Sequence, residues 1–297
     1  MERIVDRYNR GIDYIRFSVT GQCNLNCFYC HKEGIKSVEH ELTIEEIETL
    51  FKKSSDFGIK SIKLTGGEPL QRKDIIEIVK IASKYFEDVS MTTNGIGLDS
   101  IAEDLYESGL KRINISMHTL KSEIYRKITG KNSHDMVIKS ILKVSGIPFK
   151  KKKINMVYLN GLNDEEIKDM IGFAANMDFT LQVIEFEASR EDVNRELFKK
   201  YHKNLDNVRE FLNKYEYKKT LKPLHHREIY TINFNGNEVE IELVEPMFKH
   251  DFCMNCTRLR ITPDGKFKPC IFRNDNLVDG FIDNALKIAV NLREPYW

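Results

Sequence analysis

The sequence predicts an α/β fold in which six consecutive β/α units precede a small α+β extension. Three observations predict it. From Tyr14 to about Tyr217, short runs rich in Ile, Val and Phe alternate with segments whose apolar residues recur at helical spacing. The alternation stops near residues 218–224, and a hairpin and further short strands follow. Each strand reaches the next through a helix, so the strands should run parallel with helices outside. Six units fall short of the eight of a closed barrel. An incomplete (β/α)6 barrel of TIM type and an open doubly wound sheet both fit, and in both the ligands bind at the C-terminal strand ends.

Each element has a local cause. Strands are expected at residues 14–20, 61–65, 88–92, 112–117, 153–159 and 180–186. Thr43 and Glu46 form a capping box opening a helix that stops near Gly58. Helical spacing continues over residues 73–86, 100–108, 134–144 and 164–176, the last capped by Asn163 or Asp164. A long helical stretch is expected at about 193–215. Asn235-Gly236-Asn237 then joins two strands as a hairpin, and Pro263-Asp264-Gly265 turns between two more. A helix near 283–291 follows. These changes divide the chain into domains 1–220 and 221–297.

Composition narrows the function. At 297 residues and 41% hydrophobic, the chain can bury a large core. A net charge of +1 argues against a nucleic-acid partner. No apolar run reaches membrane-span length and residues 1–7 hold no signal-like segment, so no membrane partner and a cytoplasmic location are expected. The basic run 150–153 reads mainly as a solvated strand start.

Six cysteines form two triplets, Cys23, Cys27 and Cys30 as C-x3-C-x2-C, and Cys253, Cys256 and Cys270 as C-x2-C-x13-C. In a reducing cytosol such clusters are metal ligands rather than disulfides. Iron–sulfur and zinc sites take four ligands, so each triplet should leave one position for a substrate or cofactor. Zinc sites recruiting His31 or His250 are the competing reading. Leu64-Thr65-Gly66-Gly67-Glu68-Pro69 ends the second strand. Its glycines let the backbone approach a ligand, and Glu68 can accept from an ammonium group. Arg258 and Arg260 alternate on a strand beside the second triplet, sharing a face suited to an anion. Met91 and Met117 read as core, and His225-His226, on an extended strand, point to opposite faces.

The first cysteine run, with Tyr29 before its last cysteine, resembles the radical S-adenosylmethionine (SAM) signature C-x3-C-x-aromatic-C. Gly66-Gly67-Glu68, about 35 residues on, resembles the GGE motif of the same superfamily. Cys253-x2-Cys256-x-Arg258-x-Arg260, with a Gly265 turn and Cys270, is similar to the GTP 3′,8-cyclase (MoaA) family of molybdenum cofactor biosynthesis. The resemblance spans residues 12–270.

It implies an incomplete (β/α)6 TIM-type barrel whose extension carries a second Fe–S cluster. It also implies a lyase that uses two [4Fe–4S] clusters and SAM, with GTP as substrate. All six cysteines are then metal ligands. Tyr29, Gly66, Gly67, Glu68 and Ser116 are implied as cofactor contacts. Arg16, Lys63, Thr93, Lys153, Arg258 and Arg260 are implied around GTP, with Arg16, Arg258 and Arg260 assisting catalysis. In the implied reaction an electron enters the first cluster and SAM is cleaved to methionine and a 5′-deoxyadenosyl radical. The radical takes hydrogen from C3′ of the ribose, and C3′ attacks C8 of guanine. A further electron and a proton complete 3′,8-cyclo-7,8-dihydro-GTP.

The implied partners are a ferredoxin- or flavodoxin-type electron donor, a downstream cyclic pyranopterin monophosphate synthase and a second copy in a homodimer. Another two-cluster radical SAM enzyme, such as a peptide modifier, and a non-enzymatic zinc-binding module are the alternatives. The sequence departs from the family in three places. Gln182 and Glu187 stand where arginine and methionine are common. Arg293-Glu294-Pro295-Tyr296-Trp297, an archaeal-like C-terminus, stands where bacterial members carry a Gly-Gly tail reaching the active site.

Overall fold

The computed structural model describes residues 4–35 and 40–297; residues 1–3 of the N-terminal run lie outside it. Six strands lie side by side in chain order: β1 (Tyr14–Ser18), β2 (Ser61–Thr65), β3 (Asp88–Thr93), β4 (Arg112–Ser116), β5 (Lys151–Tyr158) and β6 (Thr180–Glu185). All neighbours pair parallel. The connections carry α1 (Ile44–Asp56), α2 (Ile75–Tyr85), α3 (Ala102–Glu107), α4 (Ser122–Thr129), α5 (His134–Ser145) and α6 (Ile167–Asn176). Helix α4 adds to the expected set.

Alternation along the strands makes two different faces. Ile15, Phe17, Ile62, Leu64, Val89, Met91, Ile113 and Ile115 are buried in the main apolar core. The residues between them include the buried Lys63, Ser90 and Asn114. Successive side chains on a strand point to opposite faces, so the second set lines a polar interior.

The α1 capping box forms as expected, with Thr43 N donating to Glu46 Oε2 at 2.8 Å and Glu46 N donating to Thr43 Oγ1 at 3.3 Å. A Thr43→Ala chain should lose about 1 kcal/mol, read as an earlier urea midpoint of the metal-free protein. Helix α6 is not capped by Asn163 or Asp164. Asn163 is used elsewhere: its Oδ1 accepts from Leu159 N, and its Nδ2 donates to His118 O and Val157 O.

The stretch 193–215 is two short helices, α7 (Glu196–Tyr201) and α8 (Asp206–Leu212), rather than one. His202, in extended conformation, breaks the run, with its Nε2 2.8 Å from Glu185 Oε1. The remaining elements are β7 (Tyr217–Lys222), β8 (Arg227–Phe234), β9 (Asn237–Val244), α9 (His250–Met254), β10 (Arg258–Ile261), β11 (Lys266–Lys268), β12 (Val278–Asp279) and α10 (Ala285–Asn291). Asn235 and Gly236, both at positive φ, form the two-residue hairpin turn between β8 and β9.

These later strands extend the first sheet. β9 pairs parallel with β6, and β10 pairs parallel with β1. The parallel run therefore has eight strands where six β/α units were expected, the last two arriving by long connections. Antiparallel strands β11–β12 and β8–β7 flank it, and among the described residues no pairing closes the sheet. No helix among the described residues is long and apolar enough to cross a membrane.

Candidate functional site

Strand register gathers the cations. Arg260 on β10, Arg16 on β1 and Lys63 on β2 are direct partners across three adjacent parallel strands. Such partners share a face, and adjacent strands lie about 4.8 Å apart. All three line the main cavity, as do Arg258, Asn114, Asn155 and Gln182.

Compensation is incomplete. Burial would lower the Arg16 pKa, but Glu33 outweighs it and holds the guanidinium above its ordinary value. Lys63 has no such neighbour among its leading influences. Burial, then Arg112, Arg16, Lys153 and Arg258, hold its ammonium well below the usual range. Burial and Arg227 bring Arg258 down to about 9. The Nε atoms of Arg258 and Arg260 are buried with no acceptor among the described residues. Clustered cations with unspent donors complement a ligand carrying several negative charges.

The first triplet leaves β1 and meets the GGE loop. Cys23, Cys27, Cys30, Gly66 and Gly67 line one cavity. Gly67 N donates to Thr20 O at 2.8 Å, and Glu68 N donates to Gln22 O at 2.7 Å. A Cβ would stand 2.4 Å from Thr20 O at Gly66 and 2.0 Å from Gln22 O at Gly67. The close approach that the glycines permit here is to the backbone leading to Cys23.

Glu68 is turned inward. It accepts from Leu70 N at 3.0 Å, and from Thr93 Oγ1 and Asn94 N at 2.6 Å each. Burial pushes its carboxyl up to about 7. An ionised carboxylate has about four acceptor sites, so one remains for an ammonium. Burial and then Cys30 and Cys23 push the Cys27 thiol up to about 12. Three thiolates this crowded need positive charge between them, and in that respect the donor set fits an iron–sulfur cluster.

The second triplet lines the same cavity as the cation row. Burial would raise the Cys256 thiol, but Arg293, Arg258 and Arg260 outweigh it and hold it below its ordinary value. That favours the anionic sulfur an iron site needs. Arg10 NH1 donates to Cys253 O at 2.8 Å, and Arg293 donates to Cys256 O. Asp6 holds both arginines, at 2.8 and 3.0 Å. Trp297 N donates to Cys253 Sγ at 3.4 Å, and Tyr296 and Trp297 line the cavity. Among the described residues, no three His, Cys, Asp or Glu side chains are placed to hold a single metal ion.

Arg16, Lys63, Arg258, Arg260, Tyr29 and the second triplet thus meet at one cavity. Gly66, Gly67 and Glu68, described above, and three further expected contacts lie off its lining. Thr93 is buried against Glu68, Lys153 is buried in an ion pair with Glu242, and Ser116 ends β4 beside Asn155. His225 and His226 are not on an extended strand: both have positive φ, and His225 is buried at the cavity edge.

His118, which carries no sequence signal, joins the site through Tyr29. His118 accepts from Val157 N at 3.1 Å through Nδ1, so its Nε2 carries the proton toward Tyr29 Oη, 2.5 Å away. Burial lowers His118 to about 4, keeping it neutral. Glu187 pairs with His31 at 2.9 Å, and both line the cavity.

Residues 17–174 match the Radical SAM superfamily, and residues 179–287 match Molybdenum Cofactor Synthesis C. A protein of Pyrococcus horikoshii described as "Probable GTP 3′,8-cyclase" is 45% identical, over 99% of this chain and 98% of its own. One of Methanocaldococcus jannaschii with the same description is 39% identical, over 98% and 95%. Among solved structures, Streptococcus suis SuiB bound to precursor peptide SuiA superposes with a TM-score of 0.72 at 17% identity, covering 98% of this chain and 67% of SuiB. Native anSMEcpe with bound AdoMet gives 0.65 at 19%, covering 93% and 79%. These two likenesses show the fold. Relatives matched over almost their whole length show more: the chain belongs to the GTP 3′,8-cyclase family of the radical SAM superfamily.

Proposed function

We propose that this chain converts GTP to 3′,8-cyclo-7,8-dihydro-GTP with SAM and two [4Fe–4S] clusters, the first step of molybdenum cofactor biosynthesis. The observation that carries the reading is the Arg260–Arg16–Lys63 row, one polyanion-binding wall shared with the second cysteine triplet. When bound, the clusters and SAM supply radical hydrogen abstraction at the ribose and an open iron position for the substrate.

The protein binds and orients. Cys23, Cys27 and Cys30 would hold the first cluster, and Cys253, Cys256 and Cys270 the second. Gly66, Gly67 and the remaining acceptor site of Glu68 would receive the methionine end of SAM, with Tyr29 and Ser116 nearby. Lys63 would neutralise phosphate charge at the foot of the row, and Lys153 would add to the field from beneath. Arg258 and Arg260 would hold GTP beside the second triplet through their unspent Nε donors. Thr93 would act through Glu68, whose carboxylate it holds. Phe272, Tyr296 and Trp297 would keep water from the reacting atoms.

The finer context is proposed with it: a ferredoxin- or flavodoxin-type donor, a downstream cyclic pyranopterin monophosphate synthase, a homodimer and a cytoplasmic setting. Residues 221–297 would form the substrate-side part. Purified under argon, the protein should carry about eight iron atoms per chain. It should release 5′-deoxyadenosine from SAM in a GTP-dependent way when reduced. Full iron content with no GTP-dependent deoxyadenosine would sink the substrate assignment.

A further inference from the structure

The loop leaving the first triplet has an uncommon backbone. Lys32, Glu33 and Gly34 have φ of 50°, 53° and 69°. For lysine and glutamate that conformation is costly and persists only where the surroundings enforce it. Contacts of Glu33 and Gly34 enforce it here. Arg16 Nε donates to both carboxylate oxygens of the buried Glu33, at 2.9 and 3.0 Å. Thr65 Oγ1 donates to Glu33 Oε1 at 3.1 Å, and Arg260 Nε lies 3.9 Å from Oε2.

Gly34 is pressed against the chain beside the second triplet. A Cβ there would stand 1.8 Å from the carbonyl oxygen of Ile271, the residue after Cys270. Lys268 Nζ donates to Gly34 O at 3.0 Å. Four residues therefore run from Cys30 to the edge of the other cysteine site, and Glu33 among them holds Arg16 of the cation row and lies near Arg260.

We propose that Glu33 is a positioning residue that fixes the Arg16 guanidinium, sets its charge beside Arg260, and ties this part of the cation row to the first-cluster loop. The proposal rests on the GTP cyclase reading of the cavity. Glu33 acts on substrate only through the arginines. Its negative charge beside them opposes a polyanion, so it weakens GTP binding while restricting how GTP is held. A guanidinium anchored along one edge offers only its remaining N–H groups, in one direction. Radical attack on one ribose hydrogen depends on that direction more than on affinity.

The signature is therefore a split between binding and coupling. Holoenzyme carrying Glu33→Gln, similar in volume but uncharged, should keep its iron content. By anaerobic equilibrium dialysis it should bind GTP as tightly as the parent, or up to about tenfold more tightly. Deoxyadenosine released per cyclised nucleotide should rise at least about fivefold, because SAM cleavage would proceed without cyclisation. An unchanged ratio, or weaker GTP binding, overturns the proposal.

If Glu33→Gln loses iron, Thr65→Val decides instead. It removes one donor to Glu33 and keeps the charge, so the ratio should rise about twofold with GTP affinity unchanged; an unchanged ratio again overturns the proposal. Parent enzyme that releases no GTP-dependent deoxyadenosine would sink the cyclase reading, a result separate from either variant's ratio.

Discussion

A Gly67→Ala protein purified under argon should hold about four iron atoms per chain where the parent holds about eight, and should no longer cleave SAM. The reason is steric. The added Cβ would stand 2.0 Å from Gln22 O, 2.4 Å from Gln22 C and 2.9 Å from Gly21 O. These are backbone atoms, so no rotamer change relieves the contact. The 20–22 segment must move outward, and Cys23 moves with it. Gly67 N and Glu68 N then lose their carbonyl partners on Thr20 and Gln22. Overpacking a fitted contact costs about 1–3 kcal/mol even when side chains can yield, and here they cannot.

The second triplet should survive, because Cys253 on α9, Cys256 just before β10 and Cys270 after β11 line a different cavity from Gly66 and Gly67. The EPR signal of the second cluster, with its response to GTP, should therefore persist in the variant. Eight irons and normal SAM cleavage would show that the loop tolerates the methyl group. Gly66→Ala should behave alike, since Gly66 has φ +144° and a Cβ there would meet Thr20 O at 2.4 Å.

The same loop shows what sequence can and cannot reveal. Gly66-Gly67 after a strand marks a close backbone approach, but not to what; Gln22 lies 45 residues earlier, and only the fold brings the two together. Strands β1 to β6 were legible because alternating burial and helical spacing are local signals. So was the hairpin at Asn235-Gly236, where two positive φ values need those residue types.

The docking of β10 on β1 was not legible. Arg258 and Arg260 could be read as one face of a strand, but Arg260 stands beside Arg16 only through parallel pairing across most of the chain. Glu33 illustrates the opposite gap. It lies three residues from Cys30 and no sequence motif marks it; only the fold brings Arg16, Thr65 and Arg260 to it. Glu68 was legible as important, yet its carboxylate is largely spent on Thr93, Asn94 and Leu70.

Replacing Lys63 by methionine should make the metal-free protein more stable and the holoenzyme nearly unable to bind GTP. Lys63 is buried, and the charges ranked behind burial in its environment are all cations. Removing such a charge and keeping the apolar volume should stabilise the fold by about 1–3 kcal/mol. The pH dependence fixes the sign. The unfolded lysine titrates near its ordinary value, about 10.4, while the folded one is held well below 10.5.

Between those two values the unfolded chain binds more protons, so parent stability should rise with pH through that window. Urea midpoints measured from neutral to alkaline pH should climb in the parent and stay flatter in Lys63→Met. GTP reverses the balance, because its phosphates favour the protonated amine. Binding should therefore take up protons, visible as a buffer-dependent heat in titration calorimetry, and parent affinity should fall as pH rises. Loss of a buried cation with no carboxylate among its leading neighbours should weaken GTP binding by about 100-fold or more. A variant that is less stable and binds GTP normally would show Lys63 to be part of the scaffold. The expected opposite pair, higher stability with lost affinity, would show that the fold carries an unfavourable charge for its ligand to neutralise.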